Sequence, residues 1–306
     1  MELRPGRRRI LSEVAAAALT VALPASGRAF AHSTGAGGAK EELIGRLRAL
    51  EQARSGRLGV FAHDTATGKT VAYRADKLFP ICSTFKTIAV AAVLRDLDHH
   101  CTFLAKRIRY TRNDVAEAGY APITGLPANL EGGMTGEELC AAAITHSDNA
   151  AANLLLRELG GPPAVTRFCR SIGDRVTRLD RWEPALNSAE PGRTTDTTTP
   201  RAIGRTYARL TTGNVLDAPD RDRLTGWLLN NTTGANRLRA GLPRDWTVAE
   251  KTGTGGYGTT NDVGITWPPG RGPITIAVLS TKHDPAAPAD EPLLAETASL
   301  IATALT

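Results

Sequence analysis

The chain has 306 residues and only four cysteines, with no Cys-x-x-Cys pair among them. Cys82, Cys101, Cys140 and Cys169 therefore fit no common metal spacing. None of the six histidines stands at a zinc spacing either, so neither metal nor cofactor is expected. Internal repeats and heptads are also lacking, which excludes a solenoid and a coiled coil. Beyond residue 31 no apolar run reaches the roughly eighteen residues that a membrane helix needs. A concentrated basic surface is missing as well. The net charge of +6 falls to +3 once residues 1–31 are set aside, and the remaining arginines are scattered along helices, which speaks against nucleic acid. What is left is ordinary globular composition, 42% hydrophobic and 22% charged, in a chain long enough for one large domain or two packed lobes.

Residues 1–31 differ from the rest. "RPGRRRIL" is basic, "VAAAALTVALPA" is a short apolar run, and "AFA" at Ala29–Ala31 offers small residues for cleavage. This reads as a secretory signal and not as a membrane span. Arg7 and Arg8, followed by Ile10 and Leu11, resemble a twin-arginine signal. The expectation is a secreted monomer, periplasmic where the host has an outer membrane, with no membrane contact after signal removal. An exported chain permits disulfides, but the sequence leaves their pairing open. Cys82, beside Ser83, is expected to be a buried, inert thiol.

The rest of the chain runs from strand to helix and back to strand. "KEELIGRLRALEQARSG" has helical spacing, and "RLGVFAHDTATGKTVAYRAD" reads as a β-hairpin. "STFKTIAVAAVLRDLD" is an apolar helix that should be buried on most sides. "TGEELCAAAITHS" opens with a capping-box pattern, Thr135 and Glu138, and "NAAANLLLRELGG" follows it. "TPRAIGRTYARLTTG" and "APDRDRLTGWLLNN" are further helices. "DWTVAEKTGTG", "NDVGITWPPG" and "GPITIAVLSTKH" read as strands, and "DEPLLAETASLIATAL" closes the chain as a helix. The compact solution is an α/β (α+β) fold: one antiparallel sheet from both chain ends, flanked by the terminal helices, with an inserted all-helical lobe. The boundaries expected are a domain over 32–306, with a sheet lobe at about 38–80 and 230–306 and a helical lobe at about 81–229. A cleft between the lobes is the natural active site. "RWEPALNSAEPGRTTDTTTP" stands apart as twenty mostly irregular residues with three prolines, and a loop that long is usually functional.

In "FPICSTFKT", Ser83 and Lys86 sit three apart at a helix start and share a face. The amine can lie beside the hydroxyl, and helix N-terminal amides favour developing negative charge. A capping serine and a surface lysine would look the same in isolation. Ser147-Asp148-Asn149 between two helices and Lys251-Thr252-Gly253 on a late strand complete a set of three.

With these three elements in this order, the sequence resembles the class A serine β-lactamases, across essentially the whole chain after the leader. "MTGEELCAAAITHSDNAAANLLL", "RWEPALN", "DTTTP" and "AEKTGTG" look like family blocks, and the arginine-rich, lysine-poor body resembles actinomycete members. The resemblance implies a β-lactamase/transpeptidase-like fold and a small-molecule β-lactam substrate, penicillins and some cephalosporins. It implies that Ser83 is acylated, that Lys86 activates it or relays its proton, and that Ser147, helped by Lys251, protonates the leaving nitrogen. Asn149 would bond the substrate's side-chain amide. The amides of Ser83 and Thr254 would form an oxyanion hole. Glu183 and Asn187 match the pair that holds a hydrolytic water. Penicillin-binding peptidases, the alternative enzyme reading, share the other motifs and lack this pair. A non-hydrolytic β-lactam sensor, the other alternative, would want a membrane anchor or a partner domain, and neither is expected after residue 31.

By the same resemblance Arg181 and Asp196 fasten the neck of the irregular loop, and the Glu183–Pro184 bond is cis. The arginine many members carry on the strand after Lys-Thr-Gly is here Thr260. Arg237 matches an alternative cation for the substrate carboxylate. Thr252, Gly253 and Thr254 would line the substrate, and Tyr120 would stand at the cleft mouth. Gly255 and Val90 occupy positions where some relatives place the second cysteine of a disulfide, so Cys82 and Cys140 lack those partners.

Overall fold

A computed structural model describes residues 36–306. The expected export signal lies outside the described residues. The elements that position the site are α1 (Ala36–Ala53), β1 (Arg57–Asp64), β2 (Thr70–Tyr73), α2 (Phe85–Asp96), α3 (Gly136–Thr145), α4 (Asn149–Leu159), α5 (Pro163–Ser171), α6 (Pro200–Thr211), α7 (Ala218–Leu229), β3 (Thr247–Gly255), β4 (Thr259–Trp267), β5 (Ile274–Thr281) and α8 (Glu291–Leu305).

The five strands form one sheet in the order β2-β1-β5-β4-β3, antiparallel throughout. Two strands come from the start of the chain and three from its end, as the sequence pattern predicts. Along β5, Ile274, Ile276 and Val278 pack into one apolar cluster while Ala277 and Leu279 pack into another. With both faces covered, the strand is buried almost continuously, so its sequence reads as an apolar run. Helices α1 and α8 close one face through Leu47, Leu293, Leu294 and Ile301.

The opposite face is closed by α6, whose start is set by Thr199. That hydroxyl accepts from the Ala202 amide at 3.1 Å, with Pro200 in the first turn. The helix lies close to the sheet because Gly59 leaves room: a Cβ there would stand 2.4 Å from the Phe79 ring and 2.8 Å from Pro200. Although α6 falls within residues 81–229, it thus serves the sheet as a covering layer.

The helical lobe is built around α2, every residue of which from Phe85 to Leu94 is buried. This is the surrounded apolar helix that its sequence predicts. It is wrapped by α3, α4, α5 and α7, which share one hydrophobic core with it. The capping box at Thr135 and Glu138 is formed. Helix α4 starts at Asp148, which accepts from the Ala151 amide at 2.8 Å, and stops at Gly160 in the left-handed conformation. Helix α5 and the short helices Arg112–Ala118 and Pro127–Gly132 are absent from the sequence reading. The irregular loop carries one short 3-10 turn, Ala185–Ser188.

Candidate active site

A 3-10 turn, Cys82–Thr84, leads into α2 and places Ser83 at the head of the central helix. Cys82 is held at φ +44°, a left-handed conformation that costs a branched or bulky chain about 1–3 kcal/mol and persists where the surroundings enforce it. The enforcement is steric. Gly253 of β3 packs on this turn so tightly that a Cβ there would meet Cys82 Cβ at 3.2 Å and Ile81 O at 3.3 Å. The strand carrying Lys251-Thr252-Gly253 is thereby pressed against the serine's turn.

Ser83 Oγ donates to Glu183 Oε1 at 3.3 Å. Lys86 Nζ, one helical turn on, donates to Ser147 O at 2.7 Å and to Asn149 Oδ1 at 2.6 Å. It also lies 3.1 Å from Glu183 Oε1. Burial pushes the Lys86 ammonium below its ordinary value, with the Glu183 carboxylate acting in the opposite sense. Its three strong contacts are all acceptors, so the geometry is that of a charged donor.

The turn between α3 and α4 brings up Ser147, itself at φ +57°. Lys251 Nζ donates to Ser147 Oγ at 3.0 Å and to Thr252 O at 3.0 Å. Lys251 is held well below the usual lysine range, first by burial and then by the like charges of Lys86 and Arg237. Asn149 donates from Nδ2 to Ala118 O at 3.1 Å, so its amide is bonded on both sides. Asp148, fully buried, anchors the opposite rim by accepting from the Ile123 and Thr124 amides at 2.9 Å each. That rim carries Tyr120, 56% exposed, whose carbonyl accepts from the Asn149 amide at 2.8 Å.

Glu183 reaches the site from the irregular loop. Asn187 Nδ2 donates to its Oε2, and the Asn187 carbonyl oxygen Oδ1 is buried without a donor. The backbone of Glu183 is clamped by Asn153 on α4, which accepts from its amide at 3.0 Å and donates to its carbonyl at 3.0 Å. The Glu183–Pro184 peptide is cis. At the neck, Arg181 Nε donates to Asp196 Oδ2 at 2.7 Å. Asp196 Oδ1 accepts from the amides of Asp180 and Arg181 at 2.8 and 3.0 Å.

Arg237 is no exposed helix-end side chain; it is 5% exposed. Its Nη1 donates to Gly253 O and Asn261 O, both at 2.9 Å, and its Nη2 to Thr254 Oγ1 at 2.8 Å. The guanidinium thus stands behind the strand edge formed by Gly253 and Thr254. Thr252 Oγ1 lies 2.5 Å from Thr233 Oγ1. Thr260 turns away, donating to Gly258 O and accepting from the Asp290 amide. Cys82 and Gly255 face each other, since a Cβ on Gly255 would meet Cys82 Sγ at 2.8 Å. All four cysteines are free.

The structure therefore brings Ser83, Lys86, Ser147, Asn149, Glu183, Asn187, Lys251 and Thr252 into one hydrogen-bonded cluster. Arg237 and Thr254 stand at one edge and Tyr120 at the rim. The sequence reading missed Asn153 and the anchoring work of Asp148. Asn153 lies four residues after Asn149 on one helix face, a spacing that could have marked it.

Comparison with known proteins follows the same lines. Residues 42–305 match the model of the Beta-lactamase enzyme family. A β-lactamase of Streptomyces lavendulae is 62% identical over 99% of this chain and 98% of its own length. The solved β-lactamase from Streptomyces albus G superposes with a TM-score of 0.85 at 62% identity, covering 86% of this chain and 98% of that one. An ancestral class A β-lactamase reaches a TM-score of 0.81 at 52% identity, over 86% of this chain and 99% of that one.

Proposed function

The chain belongs to the β-lactamase enzyme family, as a class A serine enzyme, and on that premise we propose how its residues hydrolyse the β-lactam amide bond. The observation that carries the proposal is the bond from Ser83 Oγ to Glu183 Oε1. Lys86 has its protons committed to Ser147 O, Asn149 Oδ1 and Glu183, which leaves Glu183 as the base that Ser83 already addresses. Ser83 Oγ attacks the lactam carbonyl as its proton passes to Glu183. The C–N bond then breaks, and the nitrogen takes a proton from Ser147, whose hydroxyl is polarised by Lys251. Ser147 is reprotonated through Lys86, which lies 3.4 Å from Ser147 Oγ and 3.1 Å from Glu183 Oε1, so that Glu183 is again a carboxylate.

Deacylation uses the same carboxylate. Glu183 takes a proton from an attacking water that Asn187 orients through its unengaged Oδ1. The C–O bond to Ser83 breaks, Ser83 Oγ takes back the proton held by Glu183, and the product leaves as a ring-opened acid. In both steps the carbonyl oxygen gains charge, and we assign the amides of Ser83 and Thr254 to receive it, a role that acts mainly on the transition state.

Recognition falls to the β3 edge. Arg237 carries the positive charge for the substrate carboxylate, with Thr252, Gly253 and Thr254 along the strand and Tyr120 against the ring system. The Thr254 hydroxyl, already bonded to Arg237, is placed for one more polar contact and supports action on some cephalosporins besides penicillins. The leader in residues 1–31 supports export, and we propose a monomer acting outside the cytoplasm and conferring β-lactam resistance on its host.

The test is steady-state turnover of benzylpenicillin. Ser83→Ala is expected to lower kcat by about 10⁴-fold or more. Arg237→Ala is expected to raise KM by about tenfold or more, because a buried charge partner is lost. Turnover that survives Ser83→Ala would overturn the reading.

A further inference from the structure

Behind the β3 edge lie two acidic side chains that the mechanism does not use. Glu250 on β3 and Asp262 on β4 are both fully buried, and the register of Glu250 with Gly264 and of Asp262 with Thr252 makes them diagonal neighbours on one face of the sheet. Glu250 Oε1 has Arg239 Nε at 3.0 Å and Asn231 Nδ2 at 3.5 Å. Asp262 Oδ2 accepts from the Leu238 amide at 3.1 Å. Glu250 Oε2 and Asp262 Oδ1 have no donor at all. Two adjacent carboxylates sealed from water cannot both stay ionised. One proton between them supplies the donor that both lack.

Arg239, Arg237 and Lys251 are the cations that face the pair. Burial, and for Glu250 the neighbouring Asp262, drives both acids upward, Glu250 the further. The segment over Glu250 is tightly fitted: a Cβ on Gly234 would stand 1.7 Å from Glu250 Oε1. The pair cannot spread apart without moving that segment.

The same segment carries the substrate-facing groups. From Glu250 the chain of contacts runs through Asn231 to Thr233, whose hydroxyl donates to Asn231 Oδ1 at 2.8 Å, and on to Thr252 Oγ1. From Asp262 it runs to Leu238, the residue after Arg237. We propose that Glu250 and Asp262 share one proton at neutral pH, and that through it they are positioning residues for Thr252 and Arg237. Loss of the proton sets two charges against each other under the β3 edge and weakens substrate binding. The inference rests on the reading that Arg237 and Thr252 meet the substrate.

The sign of the pH effect follows. Separate Glu and Asp side chains in the unfolded chain release their protons near pH 4, whereas the folded pair keeps one. Above that range the folded state binds the extra proton, so stability falls as pH rises until the pair itself titrates. Each pH unit in that window lowers the folding equilibrium constant tenfold. Glu250→Gln replaces the shared proton with an amide hydrogen that cannot leave.

Two readouts test this in the full-length protein. Urea unfolding at pH 6 and pH 8 is expected to show Glu250→Gln gaining about tenfold per pH unit on the wild type. Parallel pH dependence would overturn proton sharing. The KM for benzylpenicillin is expected to rise more at alkaline pH in the wild type than in Glu250→Gln, on top of the loss of kcat/KM that Lys251 deprotonation causes in both. An equal rise in both would overturn the positioning role even if the stability readout held. Asp262→Asn provides the same two tests should Glu250→Gln fold poorly. Failure of Arg237→Ala to raise KM would instead strike the substrate-facing reading and leave the stability test standing.

Discussion

Lys86 Nζ and Glu183 Oε1 lie 3.1 Å apart, and both side chains are wholly sealed from solvent. Each compensates the other's buried charge. Removing one member of such a pair typically costs about 3–5 kcal/mol. Lys86→Ala is therefore expected to lower the melting temperature by several degrees. Glu183, left without its cation, also loses a contact that aims its carboxylate at Ser83. Acylation by benzylpenicillin should fall by about 10²–10⁴-fold. Calorimetry and stopped-flow acylation check both, and a variant with unaltered melting would contradict the pairing.

Asp196 holds the neck of the Glu183 loop with one carboxylate and three donors, the Arg181 side chain and the amides of Asp180 and Arg181. Asp196→Asn keeps the shape and drops the charge. The loop has little regular structure beyond its one 3-10 turn, so Glu183 depends on this fastening and on Asn153. Deacylation is expected to slow by about tenfold or more, since catalysis is sensitive to misplacement on the ångström scale. Rapid-quench measurement of the acyl-enzyme decides it, and an unchanged deacylation rate would count against the neck.

Lys251 carries a pH signature. Because burial and the charges of Lys86 and Arg237 hold it well below the lysine range, the folded protein gives up this proton at a lower pH than the unfolded chain does. Its buried charge opposes folding most fully at low pH, and that penalty fades as pH rises toward the ordinary lysine value. Activity runs the other way, because Ser147 loses its polarising cation as Lys251 deprotonates. The alkaline limb of kcat/KM is expected to move to higher pH in Lys251→Arg, whose guanidinium stays charged. A limb at the same pH in both proteins would assign it elsewhere.

The cysteines give a check of burial alone. Cys82, Cys140 and Cys169 are buried and Cys101 is exposed. Burial drives all three buried thiols far above their ordinary range, and the thiolate is the reactive form. A thiol reagent should modify one cysteine of the native reduced protein quickly, at Cys101, and all four after denaturation. Fast loss of a second thiol in the native state would contradict the packing around Cys82.

Much of this site was legible in the sequence because its chemistry demands particular residue types at short spacings. Ser83 and Lys86 share a helical face, Ser147 sits in an interhelical turn, and Glu183 and Asn187 lie four residues apart in an otherwise irregular loop. The sheet was legible too, from period and turn signals at both chain ends. What escaped depends on tertiary register. Glu250 pairs with Gly264 across the strands and Asp262 with Thr252, so the two acids meet as diagonal neighbours. No local pattern encodes that alignment. The same holds for α6, whose helical spacing is plain in "TPRAIGRTYARLTTG" while its place against Gly59 is not. Asn153 was visible as a residue and silent as a clamp, because its partner arrives thirty positions later.

The central claim is that Glu183 makes the acyl-enzyme on Ser83 transient. The most direct measurement is time-resolved mass spectrometry of the protein mixed with benzylpenicillin, beside Glu183→Ala. The parent is expected to consume the substrate with no lasting adduct, and the variant to accumulate one penicillin on Ser83 as deacylation falls by about 10²–10⁴-fold. A parent that stays acylated for minutes, or a variant that clears its adduct as fast as the parent, would contradict the account.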